Sequence, residues 1–307
     1  MKHWAQIEER GIIWGMQVLL KVYLLFGRKV LQLFLYPVVS YYWLTNRKGR
    51  QASLQYLQRA SAYLPDNSIQ TGLYGSYRHF ICFANAIIDK LAAWSGALTL
   101  RDVEFHGREA IRQHIEKGQG VLILGSHLGN LEISRVMAYL GKKVTVNILV
   151  HTKNAEKFNT LLNRYAGAGT MNLIQISEIN AATAMMLMDK IEAGELVVIT
   201  ADRLPASGQS RVARVDFLGK AAAFPQGPFI LASLLKCPVY TLFCLKQHGK
   251  QTIYFEHFSD GLWFPRKGRD AVIQACVQNF ANRLQQYCLQ EPLQWFNFYD
   301  FWQSGNE

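Results

Sequence analysis

Cysteine and acidic residues are scarce in this chain. Five cysteines occur among 307 residues, and none forms a C-x-x-C pair. An odd number without paired spacing, in a chain of this length, predicts reduced and mostly buried thiols in a cytosolic compartment. Lys and Arg number 33 against 22 Asp and Glu, a net charge of +11. This surplus favours anionic partners: acidic lipid head groups or an acidic protein. Nucleic acid is not expected as a partner, since no recognisable binding motif is present.

Two common catalytic motifs are also missing from the sequence. No G-x-S-x-G elbow occurs, which argues against a serine hydrolase. No G-x-x-x-x-G-K-S/T loop occurs, which argues against a P-loop kinase. Repeats and low-complexity linkers are absent as well, and half of the residues are hydrophobic. The chain can therefore bury a full core as one large domain with a small appendage.

The densest apolar stretch covers residues 11–45. Gly27, Arg28 and Lys29 interrupt it, so neither half reaches the roughly 18 uninterrupted apolar residues of a comfortable spanning helix. We expect a helix that lies in or dips into a membrane interface, with a buried helical hairpin as the alternative. No small-residue cleavage site follows, so a cleavable signal peptide is not predicted. We divide the chain into a membrane-associated segment, 1–50, and a catalytic domain, 51–307.

Strands and helices alternate through most of the remaining chain. Residues 51–118 are predicted to be largely helical, with one helix over 108–117. This alternation predicts an α/β fold in which a mixed central sheet is flanked by helices on both faces. The predicted strands are 121–124, 143–150, 172–176, 195–200, 238–245 and 252–258, and the predicted helices between and after them are 133–140, 155–165, 181–193, 228–236 and 270–288.

The most informative motif is Gly125-Ser-His-Leu-Gly-Asn-Leu-Glu132, which joins a buried strand to a helix. In an α/β fold such a junction faces the ligand crevice. On one continuous helix, five residues turn through roughly 140° of net rotation, so His127 and Glu132 would diverge. They can meet only if His127 precedes the helix and Glu132 lies in its first turns. A carboxylate there would hold one imidazole nitrogen while the other takes a proton from a hydroxyl.

This segment resembles the bacterial lipid A late acyltransferases, the lauroyl and myristoyl transferases of the lysophospholipid acyltransferase superfamily. The superfamily signature is His-x-x-x-x-Asp/Glu, and the His-x-Gly-Asn-x-Glu form found at His127–Glu132 is typical of the lipid A branch. The resemblance extends over most of residues 10–302. It implies the superfamily's α/β fold with an N-terminal membrane helix, and catalysis by His127 and Glu132.

Later blocks of the resemblance suggest substrate-binding residues. The helix at 155–165 would present Arg164 to a phosphate or carboxylate. Asp202-Arg203 stands where the family usually has Asp-Gln, which suggests a different acceptor head group or an added contact to a phosphate. A structural role for Asp202, with hydrogen bonds to nearby backbone, is the alternative. With Asn130 of the first motif, these are the candidate substrate contacts. The Pro/Gly turn at 224–228 could offer backbone N–H groups to an oxyanion. The aromatic tail at 291–302 stands in place of the family's Pro-Glu-x-Trp-x-Trp end and is expected to pack, with a wall of an acyl groove as the alternative role.

The resemblance implies O-acyl transfer from a thioester, with acyl carrier protein as donor and a membrane lipid as acceptor. It implies no metal and no cofactor beyond the donor. The expected location is the cytoplasmic face of a bacterial inner membrane. The sequence is further similar to the acyltransferases of aryl polyene gene clusters at Trp43-Leu-Thr45 and in the aromatic tail. Two alternatives stay open: a lysophospholipid or glycerol-phosphate acyltransferase, and a non-catalytic membrane scaffold of the same fold.

Overall fold

A computed structural model describes residues 10–65, 68–94, 102–130, 144–150, 171–176, 180–204 and 211–302. Glu132, Arg164 and the helices predicted over 133–140 and 155–165 lie outside these ranges. The helices begin and end close to the predicted positions wherever both can be compared. They are α1 (Arg10–Thr45), α2 (Arg47–Ser61), α3 (Leu73–Trp94), α4 (Arg108–Glu116), α5 (Ala181–Glu192), α6 (Gly227–Leu235) and α7 (Arg269–Gln290), followed by a 3₁₀ turn (Pro292–Gln294).

The centre of the fold is a seven-stranded sheet with the order β1-β9-β8-β2-β5-β3-β4. Every neighbouring pair is parallel except β8 and β9, which form an antiparallel hairpin. The prediction of a mixed central sheet flanked by helices is confirmed. The strands of this sheet are β1 (Val103–His106), β2 (Val121–Gly125), β3 (Val146–Val150), β4 (Met171–Gln175), β5 (Leu196–Thr200), β8 (Val239–Gln247) and β9 (Lys250–Ser259).

Two strand features were not predicted from the sequence. β1 lies within the stretch expected to be largely helical, at the edge of the sheet, where it pairs in parallel with β9. A separate antiparallel hairpin joins β6 (Val212–Phe217) to β7 (Lys220–Pro225). Leu218 and Gly219 connect its strands with φ of 52° and 72°, the left-handed pair that a two-residue hairpin turn requires. β6 alternates exposed and buried residues, so its period of two was present in the sequence.

Both faces of the central sheet are covered. Leu122 and Leu124 of β2 join a large apolar cluster that includes α6, α7 and the C-terminal aromatic residues. Val121 and Ile123 belong to a second cluster on the other face, with α4. Because β2 is buried on both faces, its sequence is an apolar run without alternation. The core therefore fixes the position of the loop that follows β2.

The N-terminal helix α1 packs along α3 and turns a large apolar face outward. Its backbone breaks at Gly27, where φ is 75°. Leu31 and Val39 are buried. Among the described residues, the part Lys21–Thr45 is the one helix long and apolar enough to cross a membrane, and only 11% of its most apolar window is buried. Its exposed large side chains are Leu24, Leu25, Phe26, Leu33, Phe34, Tyr36, Val38, Tyr41, Tyr42 and Leu44.

Candidate active site

The neighbouring strands β2 and β5 position the two central side chains of the site, those of His127 and Asp202. β2 and β5 are parallel and in register, with Gly125 opposite Thr200. The N–H of Ala201 donates to the carbonyl of Gly125 over 2.9 Å, which continues the pairing past the strand ends. His127 and Asp202 each come two residues after those ends. Parallel strands that end together place the next residues at the same edge of the sheet, where α/β folds bind ligands.

His127 and Asp202 are joined by two hydrogen bonds. His127 Nδ1 lies 2.8 Å from Asp202 Oδ1, and the backbone N–H of His127 donates to Oδ2 over 2.9 Å. The Asp202 carboxylate is fully buried, whereas 31% of the His127 side chain is exposed. A neutral imidazole bonded in this way carries its proton on Nδ1 and keeps a lone pair on Nε2. Nε2 has no hydrogen-bond partner in the described part of the chain and is the atom available to a substrate.

The electrostatic surroundings keep this pair as a neutral base and an ionised carboxylate. Burial lowers the pKa of His127 below its ordinary value, against the opposing pull of Asp202, and the positive charge of Arg203 lowers it further. Burial alone would raise the pKa of Asp202, but the charge and hydrogen bonds of His127, with the charge of Arg203, outweigh it and the pKa is lowered. At neutral pH, His127 is therefore ready to accept a proton.

The C-terminal tail completes the environment of Asp202. The indole Nε1–H of Trp295, which is fully buried, donates to Asp202 Oδ2 over 3.1 Å. The N–H of Phe296 donates to the carbonyl of His127 over 3.0 Å. Gln294 bonds through its side-chain amide to both the N–H and the carbonyl of Lys246 on β8, at 2.8 Å each. The tail was expected to pack, and it also holds the carboxylate and the histidine backbone in place.

The loop after His127 is fixed by a glycine. Gly129 has φ of +67°, and a Cβ there would lie 1.6 Å from the carbonyl oxygen of Cys244 on β8. Its N–H donates to the carbonyl of Gln294 over 2.7 Å, and the N–H of Asn130 donates to the carbonyl of Cys244 over 3.1 Å. Only glycine fits this close approach of two backbones. The loop is therefore held between the sheet and the tail.

Comparison of the whole sequence with profiles of known families identifies the family. The profile of the bacterial lipid A biosynthesis acyltransferases matches residues 8–304, nearly the entire chain. The chain belongs to this family. It is therefore an acyltransferase that acts on a lipid. Comparison with individual curated proteins gave no match.

Arg203 of the acyltransferase lies against the tail. Its Nε and Nη2 donate to Asn297 Oδ1 over 3.1 and 2.6 Å, and Nη2 also donates to the carbonyl of Phe296 over 3.2 Å. The guanidinium lies over the Tyr299 ring at 5.5 Å. These contacts connect the residue after Asp202 to the same tail that supports Asp202. A contact of Arg203 with the acceptor stays a prediction.

The remaining site predictions have different outcomes. Glu132 and Arg164 lie outside the described residues, so their predicted roles stay predictions. Asn130 is buried in the loop beside His127, and a contact with substrate is likewise still a prediction. In the turn at 224–228, the N–H of Gln226 donates to the carbonyl of Arg211 over 2.9 Å. That group is therefore unavailable for an oxyanion, because its hydrogen bond extends the β6–β7 pairing at the open end of the hairpin, just before α6.

The sequence analysis missed the positioning roles of two groups. Asp202 was predicted to contact substrate, and the structure places it on His127 Nδ1, the contact expected of Glu132. Trp295, in the tail, was predicted to pack or to line an acyl groove. The sequence signals for Asp202 were its place two residues after a buried strand and its match to the family's Asp-Gln block. Within the described ranges, no group of three or more His, Cys, Asp or Glu side chains could hold a metal ion.

Proposed function

We propose that the protein is a membrane-associated O-acyltransferase in which His127 acts as general base. Nε2 removes the proton of the acceptor hydroxyl while the hydroxyl oxygen attacks the carbonyl carbon of the acyl thioester. The carbon–sulfur bond breaks, and the imidazolium returns the proton to the departing thiolate. An ester and a free thiol result, without an acyl-enzyme intermediate. The hydrogen bond from His127 Nδ1 to the buried Asp202 is the observation that carries this proposal.

Asp202 acts as a positioning residue in this scheme. It fixes the tautomer that leaves Nε2 unprotonated and stabilises the imidazolium formed during the attack. Glu132 of the His-x-x-x-x-Glu motif is the other candidate for that role. The two assignments can be separated, because only the carboxylate bonded to Nδ1 supports the basicity of His127 directly. Glu132 would then act on another group of the site, such as the acceptor.

The donor that we propose is an acyl group carried by acyl carrier protein. The net charge of +11 suits an acidic protein that approaches from water. Coenzyme A thioesters carry the same reactive group without the acidic protein surface. A comparison of kcat/KM for lauroyl-acyl carrier protein and lauroyl-coenzyme A at 50 and 300 mM salt tests the donor. We expect preference for the carrier protein, with a loss of that preference at high salt.

Membrane association is assigned to α1. Its exposed apolar side chains include Leu25 at 76% and Leu33 at 70% exposure, values that a protein surface in water seldom combines on one helix face. Arg47, Lys48 and Arg50 follow directly and would meet anionic lipid at the cytoplasmic face. We propose the cytoplasmic face of a bacterial inner membrane as the location.

The biological setting that we propose is the synthesis of a lipid A-like or aryl polyene lipid. The aryl polyene assignment is supported by sequence similarity at Trp43-Leu-Thr45 and in the tail. A lysophospholipid or glycerol-phosphate acceptor is the alternative. Mass spectrometry of lipids from a deletion strain separates these acceptors, because the missing acyl ester identifies the product.

Acyl transfer by the purified protein tests the proposed function directly. Full-length protein in vesicles of total bacterial lipid would be incubated with [¹⁴C]lauroyl-acyl carrier protein. We expect label to enter a lipid in an ester linkage that mild alkali releases. His127→Asn is the matched control, since it keeps a donor near Nδ1 and removes Nε2. Equal labelling by both proteins would exclude the proposed mechanism, and absence of label with both would exclude the proposed donor.

A further inference from the structure

A cavity of about 570 Å³ opens beside the active-site loop. It lies between α1, α3 and the neighbouring ends of β8 and β9. Gly129 and Asn130 line it, two and three residues after His127. A group bound in this cavity would therefore be part of a molecule that also reaches the catalytic histidine.

The cavity has an excess of positive charge. Among the described residues, Arg28, Arg78 and Lys246 line it together with one carboxylate, that of Asp89. Asp89 is 97% buried, given its exposure of 3%, and it accepts hydrogen bonds from Arg28 Nη1 and from Lys246 Nζ, the latter at 3.0 Å. Gln251 Nε2 donates to the same carboxylate over 3.1 Å. The Asp89 carboxylate thus binds two cations, and among the described lining residues the three cations exceed the one carboxylate by two charges.

Arg78 is the cation that this network does not use. It projects from α3 as an exposed side chain that lines the cavity, and it forms no ion pair within the described ranges. Tyrosine hydroxyls and amides of α1 and α3 provide further hydrogen-bond donors and acceptors around it. Apolar side chains also line the cavity, among them Ile81, Leu293 and Phe296. The cationic side chains and hydrogen-bond donors suit a phosphate or carboxylate held by charge-assisted hydrogen bonds, with apolar surface beside it.

Exposed side chains of α1 and α3 form part of the cavity wall. Tyr36 and Tyr74 line the cavity and are 50% and 62% exposed, as expected of tyrosines at head-group depth. Leu33 and Leu73 nearby on the same helices are 70% and 58% exposed. A ligand that enters here comes from the lipid side. The donor thioester arrives from water on a soluble carrier and has no need of this entrance.

We infer that this cavity binds an anionic group, phosphate or carboxylate, on the head of the lipid acceptor, with Arg78 as a specificity-determining contact. The inference rests on the proposed function, since it names a feature of that acceptor. Binding of the anion would hold the acceptor with its hydroxyl near His127. It would also exclude lipids with an uncharged or zwitterionic head group.

Binding without donor tests this inference apart from turnover. Full-length protein in an uncharged detergent would be titrated with dihexanoyl phosphatidic acid and, separately, with dihexanoyl phosphatidylcholine, by calorimetry. We expect the wild type to prefer phosphatidic acid, with a preference that weakens as salt is added. Arg78→Gln should weaken phosphatidic acid binding about five- to tenfold, the loss of one partly exposed charge-assisted hydrogen bond. Arg78→Lys should recover part of it.

Arg214→Gln is the control, since it removes the same charge from an exposed position on β6. It should bind as the wild type does. Equal affinity of the wild type for the two lipids, or equal losses in Arg78→Gln and Arg214→Gln, would overturn the inference. If Arg78→Gln instead weakened 4′-phosphopantetheine binding and left phosphatidic acid unchanged, the cavity would belong to the donor. Selective binding in a protein that transfers no acyl group would refute the proposed function and leave this site standing.

Discussion

Trp295 donates its indole N–H to the carboxylate of Asp202 over 3.1 Å, and so joins the end of the chain to the catalytic histidine. Asp202 also bonds to His127, so the three residues form one connected unit. The carboxylate is buried and ionised, a state that is stable only with several hydrogen-bond donors around it. The tail is therefore part of the active site, and its residues Leu293, Gln294 and Phe296 also line the cavity proposed for the acceptor head group.

Trp295→Phe should lower both stability and turnover. The substitution keeps an aromatic ring in the core and removes one donor from a buried carboxylate, which costs about 1–3 kcal/mol of unfolding free energy. Trp302→Phe is a matched control, because Trp302 is also buried and donates to the carbonyl of Phe217 over 3.0 Å. Urea denaturation should show similar losses for both variants. Only Trp295→Phe should lower kcat beyond its effect on the folded fraction.

Asp202→Asn should lower kcat and move the acid limb of the pH–rate profile to lower pH. The Asp202 carboxylate raises the pKa of His127 against the effect of burial, so its removal lowers that pKa further. The weaker base and the wrong tautomer should cost about 10²–10⁴-fold in rate. Glu132→Gln should reduce the rate without moving the acid limb. If Glu132→Gln moved the limb and Asp202→Asn did not, the positioning role would belong to Glu132.

His79 should make the protein less stable in acid. It is fully buried between Ser53 and the carbonyl of Trp295, and burial lowers its pKa to about 4. The unfolded chain binds a proton near pH 6.5 and the folded chain does not, so stability falls as pH drops from about 6.5 to about 4. Between pH 7.5 and 5 this contribution is about 2 kcal/mol.

His79→Gln would remove the titrating group while it keeps an amide near Trp295. Urea denaturation at pH 7.5 and 5 should show a smaller acid-induced loss for the variant than for the wild type, by the same ~2 kcal/mol. An identical pH dependence in the two proteins would show that the folded protein binds a proton at His79 without loss of unfolding free energy, and would contradict the prediction.

The exposed face of α1 should control membrane binding. Leu33→Asn, Phe34→Asn and Val38→Asn together replace three side chains that are 60–70% exposed, so the fold should remain intact. Loss of their insertion should weaken partition into anionic vesicles about 100-fold or more. The matched control replaces Met185, Met186 and Met188 on α5 with Asn, since these are also exposed. Sedimentation with vesicles in high salt, which screens the basic surface, should separate the two triple variants.

Local sequence patterns predicted most of the elements but not the contacts between distant segments. The apolar runs of β2 and β5 were predicted as buried strands, and each is followed by a polar turn. Their adjacency was not predictable, because hydrophobic periodicity does not give the order of strands in a sheet. The sequence therefore suggested a partner for His127 only five residues away. Asp202 and Trp295 reach the same place through the sheet and the tail.

The edge strand β1 and the cavity beside α1 were not predicted either, because both depend on contacts between segments that are distant in sequence. β1 has four residues and a single partner strand, too short a segment for its alternation to stand out among the neighbouring helices. Asp89 appeared in the sequence as one acidic residue of an apolar helix. Its bonds to Arg28 and Lys246 depend on α1 packing along α3, which no local pattern specifies.

The central claim is that His127 accepts the proton of the acceptor hydroxyl through Nε2. The most direct measurement is single-turnover acyl transfer by wild type and His127→Asn across pH 4.5–8, with saturating donor and acceptor and with folding verified by thermal denaturation. We predict that the wild-type rate falls in acid with a pKa below about 6.5, and that His127→Asn loses about 10²–10⁴-fold in rate together with this acid limb. A folded His127→Asn variant with a near wild-type rate and an unchanged acid limb would contradict the account.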